Sequence, residues 1–331
     1  MTSFASNPIL RDYWYPVVRA QDLGDRPIAL RVLCEDIAVW RARDGFAGAY
    51  DRCPHREAPL SMGTVNENGH LVCCYHGWHF DGVARCVRIP SQEPNLPIPP
   101  KAHARGVQTR EAFGLVWVCL GTPAAEIPAI PEADDPAYRV IPLRMHEWRA
   151  SATRMIDNFA DYSHFHWSHG PSFGSTVDPY VAPMRIEADG DRFGYRFDVE
   201  AANPALAQTT SGVVTATVDR RMHQFFRLPF YVIGGVEYSS GLRHLYVVVA
   251  TPIDDDRTLF GQYVVRNDDH SVPPEEAIRL DLEIIEEDRI MLEAIPGPLP
   301  LGPTALAQVR SDKCGIEWAR RFQALLAGAS R

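Results

Sequence analysis

The chain has no run of about 18 consecutive apolar residues, so no segment has the length and hydropathy of a helix that crosses a bilayer. The opening residues, Met1-Thr2-Ser3-Phe4-Ala5-Ser6, carry neither the basic nor the apolar region of a secretory leader. Basic charge is not in excess. The 33 Lys and Arg stand against 42 Asp and Glu, and a net charge of -9 excludes the electrostatic footprint of a nucleic-acid partner. Cysteines are too few, seven and therefore odd in number, for a disulfide framework; they fit free thiols in a reducing compartment, and the expected location is the cytoplasm. Internal repeats and low-complexity segments are absent as well. What is present is 331 residues, 46% hydrophobic and 23% charged, the composition of a globular protein with a sizeable core and about two domains.

The most specific signal lies in the first quarter. Cys53-Pro54-His55 and Cys73-Cys74-Tyr75-His76 form a Cys-x-His pair and a Cys-x-x-His pair with seventeen residues between them. Two thiolates and two imidazoles, each short pair at the tip of a tight loop, are the donor set of a Rieske [2Fe-2S] cluster, in which histidines replace two cysteines on one iron and raise the potential. A Cys2His2 zinc site uses the same four ligands, but the common zinc finger runs Cys-Cys and then His-His, whereas here each pair is mixed. Pro54 and Gly77 permit tight turns whose amides donate to sulfur. Tyr75 and Trp78 either shield the cluster from water or pack in an ordinary core.

The loops Cys53-Pro54-His55-Arg56-Glu57-Ala58-Pro59-Leu60-Ser61 and Cys73-Cys74-Tyr75-His76-Gly77-Trp78-His79-Phe80-Asp81-Gly82 resemble the cluster-binding loops of the Rieske non-heme iron oxygenases. The spacing in that family selects Cys73 and His76 over the competing Cys74 and His79, and leaves Cys74 as a small buried hydrophobe. The cluster ligands are then Cys53, His55, Cys73 and His76.

Along the chain, residues 36–120 read as short strands between turns, with strands at 37–40, 71–73 and 114–119. A proline-rich acidic stretch follows, and the boundaries placed on this pattern are an N-terminal domain at 1–120, a linker at 121–138 and a C-terminal domain at 139–331. The later part changes to α+β. It is expected to hold a helix at 152–167, strands near 193–199, 212–218, 225–233, 242–251 and 259–265, and helices at 277–295 and 316–326.

The first of those helices contains a second chemical site. Three histidines and two aspartates fall within thirteen residues from Asp157 to His169, which is not core composition. A mononuclear iron(II) oxygenase uses two imidazoles and one carboxylate on one face of the metal and leaves positions open for dioxygen. In the Rieske oxygenases the corresponding segment reads Asp-x-x-His-x-x-x-x-His, and Asp161, His164 and His169 match it. The resemblance therefore implies His164 and His169 as iron ligands and Asp161 as the electron-transfer link to His76 of a neighbouring subunit. Five residues on a straight helix rotate by about 140° net, so the helix must bend or end between the two ligands. Asn158 is placed one turn earlier as support for the centre, and His166 as a hydrogen-bonded or exposed histidine without metal.

The third ligand is expected from a distant helix. The acidic run around Glu286-Glu287-Asp288 resembles the family's acidic helix, and the resemblance selects Asp288 over Glu283, Glu286, Glu287 and Glu293.

The implied fold is α+β: an N-terminal all-β Rieske domain followed by a helix-grip catalytic domain with an antiparallel sheet. The implied function is the terminal oxygenase of a Rieske monooxygenase, similar to the α-only vanillate and dicamba O-demethylase branch. Such an enzyme takes electrons from a ferredoxin or flavin reductase, and indirectly from NAD(P)H, uses O2 as co-substrate, and hydroxylates or demethylates a hydrophobic aromatic or polycyclic molecule. Family resemblance also implies a head-to-tail homotrimer. The alternatives are cis-dihydroxylation or desaturation by the same centre and, outside the enzymes, a Rieske electron carrier or a hydrophobic-ligand carrier. The segment from Gln224 to Gly235 offers an aromatic pocket wall with one cationic handle, Arg227, or a plain buried strand. Arg56, Arg85 and Arg88 are placed on the surface near the cluster loops.

Overall fold

The computed structural model describes residues 3–302 and 306–328, so Met1 and Thr2 of the opening segment lie outside the described residues. Two compact units result: residues up to Ile127 joined by Thr251–Asp254, and Pro128–Ala250 with the described residues from Asp255 onward. The division falls inside the proline-rich stretch. There Pro131–Asp134 form a single 3-10 turn.

The first unit is built from strands β1 (Tyr15–Arg19), β2 (Ile28–Val32), β3 (Glu35–Ala42), β4 (Gly45–Tyr50), β5 (Thr64–Val65), β6 (Leu71–Val72), β7 (His79–Phe80), β8 (Cys86–Arg88), β9 (Gly106–Ala112) and β10 (Leu115–Cys119). They form an antiparallel six-stranded sheet in the order β1-β10-β9-β4-β3-β2 and a four-stranded sheet in the order β5-β6-β7-β8. Trp40, Leu60, Leu71 and Phe80 are fully buried in one apolar cluster that also takes in Cys53 and Cys73. The cysteines are thus fixed by the core of the unit, and the residues next to them project from it.

The second unit contains strands β11 (Arg139–Pro142), β12 (His146–Trp148), β13 (Glu187–Asp189), β14 (Arg192–Ala202), β15 (Thr217–Arg227), β16 (Tyr231–Tyr238), β17 (Arg243–Pro252) and β18 (Thr258–Arg266). They make an antiparallel sheet in the order β11-β18-β17-β16-β15-β14-β13, with β12 also paired to β18. Its helices are α1 (Ala152–Phe159), α2 (Phe165–Ser168), α3 (Ala205–Ser211), α4 (Pro274–Ala277), α5 (Arg279–Glu293) and α6 (Lys313–Leu326). Ile278 and Ile285 at the start of α5 pack against Val264 and Tyr246 of the sheet. Trp318 and Phe322 of α6 stack 4.8 Å apart, and the Trp318 indole donates to Pro229 O at 3.1 Å. The fold is α+β, with an all-β first unit and a helix-covered antiparallel sheet in the second.

Three elements depart from the pattern expected of the sequence. The run at 225–233 is a hairpin rather than one strand, because Pro229 has no N–H for the ladder and the chain reverses between β15 and β16. The segment at 212–218 is preceded by α3, which ends on Gly212 in the left-handed region (φ 67°), so the strand begins only at Thr217. The helix at 152–167 is broken. The Asp161 carboxylate accepts from Ser163 N at 2.7 Å and Ser163 Oγ at 2.8 Å, a local turn that competes with helical bonding, and one further helical turn, α2, starts afterwards.

Helix α1 lies against α6, and a Cβ on Gly315 would stand 2.8 Å from Asp157 Oδ1. Burial pushes the Asp157 carboxyl up to about 6, with Arg154 opposing. The native state therefore holds this proton more tightly than the unfolded chain, and the contribution of Asp157 to stability falls as pH rises from the usual Asp value through about 6. Asp157→Asn is expected to raise unfolding stability by about 1–3 kcal/mol at pH 7.5 and by much less at pH 4. Urea unfolding at the two pH values checks it; equal effects at both would refute the assignment.

Candidate metal centres

Two loops of the first unit share one hydrogen-bond frame. Cys53 N donates to Ala58 O (2.9 Å) and Glu57 N to Cys53 O (2.9 Å); Cys73 N donates to Trp78 O (2.9 Å) and Gly77 N to Cys73 O (3.0 Å). In each loop the fourth residue after the cysteine is left-handed, Glu57 at φ 59° and Gly77 at φ 67°. Glycine takes that conformation without a steric penalty, whereas Glu57 takes it with one.

The frame brings Cys53, His55, Cys73 and His76 together. The His55 and His76 rings are 4.4 Å apart, edge to face, and Trp78 stacks on His55 at 4.5 Å. Burial pushes the Cys53 thiol up to about 11, the amides of His55 and Arg56 pull it back, and the adjacent Cys73 adds to the rise. A thiol this hard to ionise alone becomes a thiolate where bound metal supplies the positive charge. Desolvation, then His76 and Arg56, hold the His55 ring below its usual value, and its buried Nδ1 has no hydrogen-bond partner. Two thiols and two imidazoles, one with an orphaned ring nitrogen, fit the donor chemistry of a Rieske cluster.

Neighbouring residues sort themselves by exposure. Trp78 covers the His55 ring, and Tyr75, 63% exposed and so not a core residue, sets its ring 3.9 Å from that of His76. Cys74 is exposed rather than buried, because it lies at the tip of the turn where Cys73 faces inward. His79 Nδ1 sits 3.2 Å from Asn66 Nδ2. Arg56, Arg85 and Arg88 are exposed.

The second centre belongs to the other unit. His164 immediately precedes α2 and His169 immediately follows it, so the two ligand candidates flank a single helical turn and the long helix breaks before both. Gly174 keeps the chain close behind them, since a Cβ there would fall 1.9 Å from Phe165 O. Asp288 enters from α5. His164 Nε2 and His169 Nε2 are 3.2 Å apart, and Asp288 Oδ1 is 3.7 Å from the first and 3.4 Å from the second. Donors at about 2.0–2.2 Å from one ion on adjacent positions stand about 3 Å apart, so the three atoms fit one divalent metal.

The surroundings prepare each donor. Glu287 Oε2 lies 2.8 Å from His169 Nδ1 and accepts from Ser172 Oγ at 2.8 Å. A proton on Nδ1 satisfies Glu287 and turns the lone pair of Nε2 toward the centre. Burial, with the His164 and Arg220 charges, lowers His169 to about 3, which keeps the ring neutral. Asn158 Nδ2 donates to Asp288 Oδ1 at 3.0 Å, and burial raises the Asp288 carboxyl against His164 and Asn158, which lower it. Burial would also raise Asp161, but His164 and Ser163 outweigh it and hold it below the usual range; its Oδ2 is 3.7 Å from His164 Nδ1. His166 Nδ1 bonds Val177 O at 2.7 Å and faces away. Glu283 and Glu286 are exposed, and Glu293 pairs with Arg149 and Arg289.

A cavity of about 110 Å³ opens beside these ligands, between α5 and the face of β15, β16 and β17. Gln224 reaches it, but the expected cationic handle does not: Arg227 pairs with Asp191 at 2.5 Å because the strand ends there and the side chain turns outward. Two residues of this region escaped sequence reasoning. Glu287 was hidden by the choice of its neighbour Asp288, and Arg220 by reading strand 225–233 without extending the alternation back to the inward positions Val218, Arg220 and Met222.

Glu287→Gln keeps the shape at His169 Nδ1 and removes the charge. Ferrous-ion affinity is expected to fall about 10- to 100-fold, with the cluster spectrum unchanged; titration of iron-stripped protein reads it, and an unaltered affinity would refute the role of Glu287.

Comparison with known proteins gives a family match for each of two segments. Residues 13–109 match the Rieske [2Fe-2S] domain and residues 148–328 the vanillate O-demethylase oxygenase C-terminal domain. The chain is 34% identical over 260 residues to methylxanthine N1-demethylase NdmA of Pseudomonas putida, covering 75% of this chain and 71% of that one. It is 36% identical over 187 residues to the oxygenase component of dicamba O-demethylase of Stenotrophomonas maltophilia, covering 55% of this chain and 54% of that one. The structure of Pseudomonas putida CBB5 NdmA with caffeine superposes with a TM-score of 0.79 at 26% identity, over 97% of this chain and 96% of that one. No helix among the described residues is long and apolar enough to cross a membrane. With a cluster-binding unit and an oxygenase catalytic domain in one polypeptide, the chain belongs to the Rieske non-heme iron oxygenases.

Proposed function

We propose that the chain is the terminal oxygenase of a multi-component monooxygenase that hydroxylates, or O- or N-demethylates, a small aromatic molecule. The observation that carries this reading is the convergence of His164, His169 and Asp288 at the edge of a largely apolar cavity. The named relatives support the reaction class, one a methylxanthine N-demethylase and the other a dicamba O-demethylase.

In this reading Cys53, His55, Cys73 and His76 hold the [2Fe-2S] cluster, and His164, His169 and Asp288 hold the mononuclear iron. When bound, the cluster supplies single electrons, and the ferrous ion offers open positions where dioxygen is activated. The chain's own residues set the conditions. Glu287 fixes the His169 tautomer, and Asn158 orients Asp288 and favours its carboxylate form by donating to Oδ1. Phe165, Phe173, Met222, Val236 and Ile284 keep water from the reacting edge of the substrate. The space, smaller than an engineered cavity of ~150 Å³ that takes up benzene, argues against a polycycle.

Electrons reach the chain from a separate ferredoxin or flavin reductase, and ultimately from NAD(P)H. Asp161, ionised at neutral pH and next to His164, is the group suited to connect His76 of a neighbouring copy to the iron ligand, which calls for a head-to-tail homotrimer. The cytoplasm supplies such donors.

Single substitutions His164→Ala, His169→Ala and Asp288→Ala are expected to abolish product formation and mononuclear iron binding while leaving the Rieske spectrum intact. The assay is oxygen uptake with a surrogate reductase and a panel of substituted arenes, read by product mass. Gain of one oxygen, or loss of a methylene, supports the monooxygenase; gain of two oxygens and two hydrogens assigns a dioxygenase instead. Full turnover by all three variants would refute the centre.

A further inference from the structure

We propose that Arg220 anchors an anionic oxyacid group of the substrate, a carboxylate or sulfonate, and so selects arenes that carry one; the proposal rests on the oxygenase reading above. Arg220 lies on β15 at an inward position between Val218 and Met222, is 3% exposed, and lines the cavity beside the iron site. Alternation along the strand asks for an apolar side chain there. A cation in its place costs free energy unless it is paired.

No partner is present among the described residues. Nε and Nη2 of Arg220 are both buried and neither has a hydrogen bond. These two nitrogens form the side edge of the guanidinium, the fork that takes a carboxylate in two parallel bonds. Arg139 shows that use in this same unit, holding Asp268 through Nε at 2.9 Å and Nη2 at 2.6 Å. The rings beneath Arg220, Phe173 at 4.4 Å and Tyr238 at 5.9 Å, offset part of the burial cost but satisfy no N–H.

Other charged groups of this unit are paired without it. Arg139 and Arg266 share Asp268. Arg266 also donates to His244 Nδ1; a guanidinium cannot accept, so that nitrogen is unprotonated and Nε2–H donates to Asp281 Oδ1 at 2.8 Å. None of these pairs includes Arg220, and the acids that line the cavity, Asp161, Asp281 and Asp288, make no hydrogen bond to its Nε or Nη2. Thr210 Oγ1, buried in the same cavity, also lacks a partner and adds one hydroxyl donor.

The position has a steric consequence. Phe173, under the Arg220 guanidinium, stacks on His169 at 5.1 Å, so an anion on Arg220 is held on the side of the cavity nearest that ligand. Asp281 Oδ2, without a partner, repels an anion and accepts from a donor, so the ring has one orientation in which both polar groups are met.

Calorimetric binding to the cluster- and iron-loaded protein tests this apart from turnover. The probes are 4-methoxybenzoate, 4-methoxybenzenesulfonate and the neutral 4-methoxybenzamide. In the wild type at least one anion is expected to bind about 10-fold or more tighter than the amide. Arg220→Gln is expected to weaken that anion about 10- to 100-fold and the amide less than about 3-fold, and Arg220→Lys to restore part of the loss. Equal binding of anions and amide by the wild type, or an Arg220→Gln variant with normal iron content that keeps the preference, would overturn the proposal while leaving the oxygenase reading in place. Anion selectivity without oxygenation of any arene would do the reverse.

Discussion

A carboxylate taken out of water is the constraint around which the catalytic unit is arranged. Asp288 is 4% exposed, on a helix whose neighbouring acids Glu283 and Glu286 face solvent. Burying such a group costs several kcal/mol unless hydrogen bonds and charges compensate. Asn158 supplies one donor, yet the His169 imidazole opposite does not supply a cation, because burial lowers it to about 3. Two lone-pair nitrogens and one carboxylate therefore face each other across less than 4 Å. Such a cluster is poorly satisfied by protein alone and well satisfied by a divalent cation, so metal binding and local stability are the same free energy here. The scaffold keeps the donors in place through the short α2 turn, the close approach at Gly174 and the packing of α5 on the sheet.

The cluster loops obey a different constraint. Their ligands are organised by backbone, not by a helix, and the two loops reach one geometry from unlike sequences. Only Gly77 announces its left-handed residue; Glu57 does the same work with a side chain that resists it. The residues nearest the ligands divide by which side of the turn they occupy. Cys73 belongs to the core with Trp40 and Phe80, while Cys74 and Tyr75 stand in solvent.

Legibility of the sequence followed how local each determinant is. The mixed Cys and His pairs and the Asp161, His164, His169 spacing are contiguous, and the side chains singled out by them come together in space. The helix does end between the two ligands, at Ser168, as expected on geometric grounds, but the earlier break was not foreseen, because an Asx-type turn at Asp161 depends on a side chain meeting the backbone of Ser163, not on periodicity. The hairpin inside 225–233 was missed for a similar reason: an aromatic, β-branched run outweighed the single Pro229. Glu287 and Arg220 owe their meaning to residues more than 45 positions away, His169 and Phe173, and no pattern within either segment contains that information.

The acidic helix also organises the cavity along its length. Asp281 and Asp288 are seven residues apart, hence about 10 Å along the axis on nearly one face. Ile284 and Ile285 lie between them. Under the proposed function, a substrate in this space would meet the candidate metal-binding carboxylate at one end, an apolar middle, and a carboxylate already committed to His244 at the other. The opposite wall, β15, presents Arg220, Met222 and Gln224 in alternation, and Gln224 is itself held by the Tyr246 hydroxyl at 2.7 Å. Of the polar groups facing the cavity, the ones near Gln224 are paired and the ones near Arg220 are not. That asymmetry gives the pocket a direction, and under the proposed function it is direction, more than volume, that would decide which bond of a bound ring faces His164, His169 and Asp288.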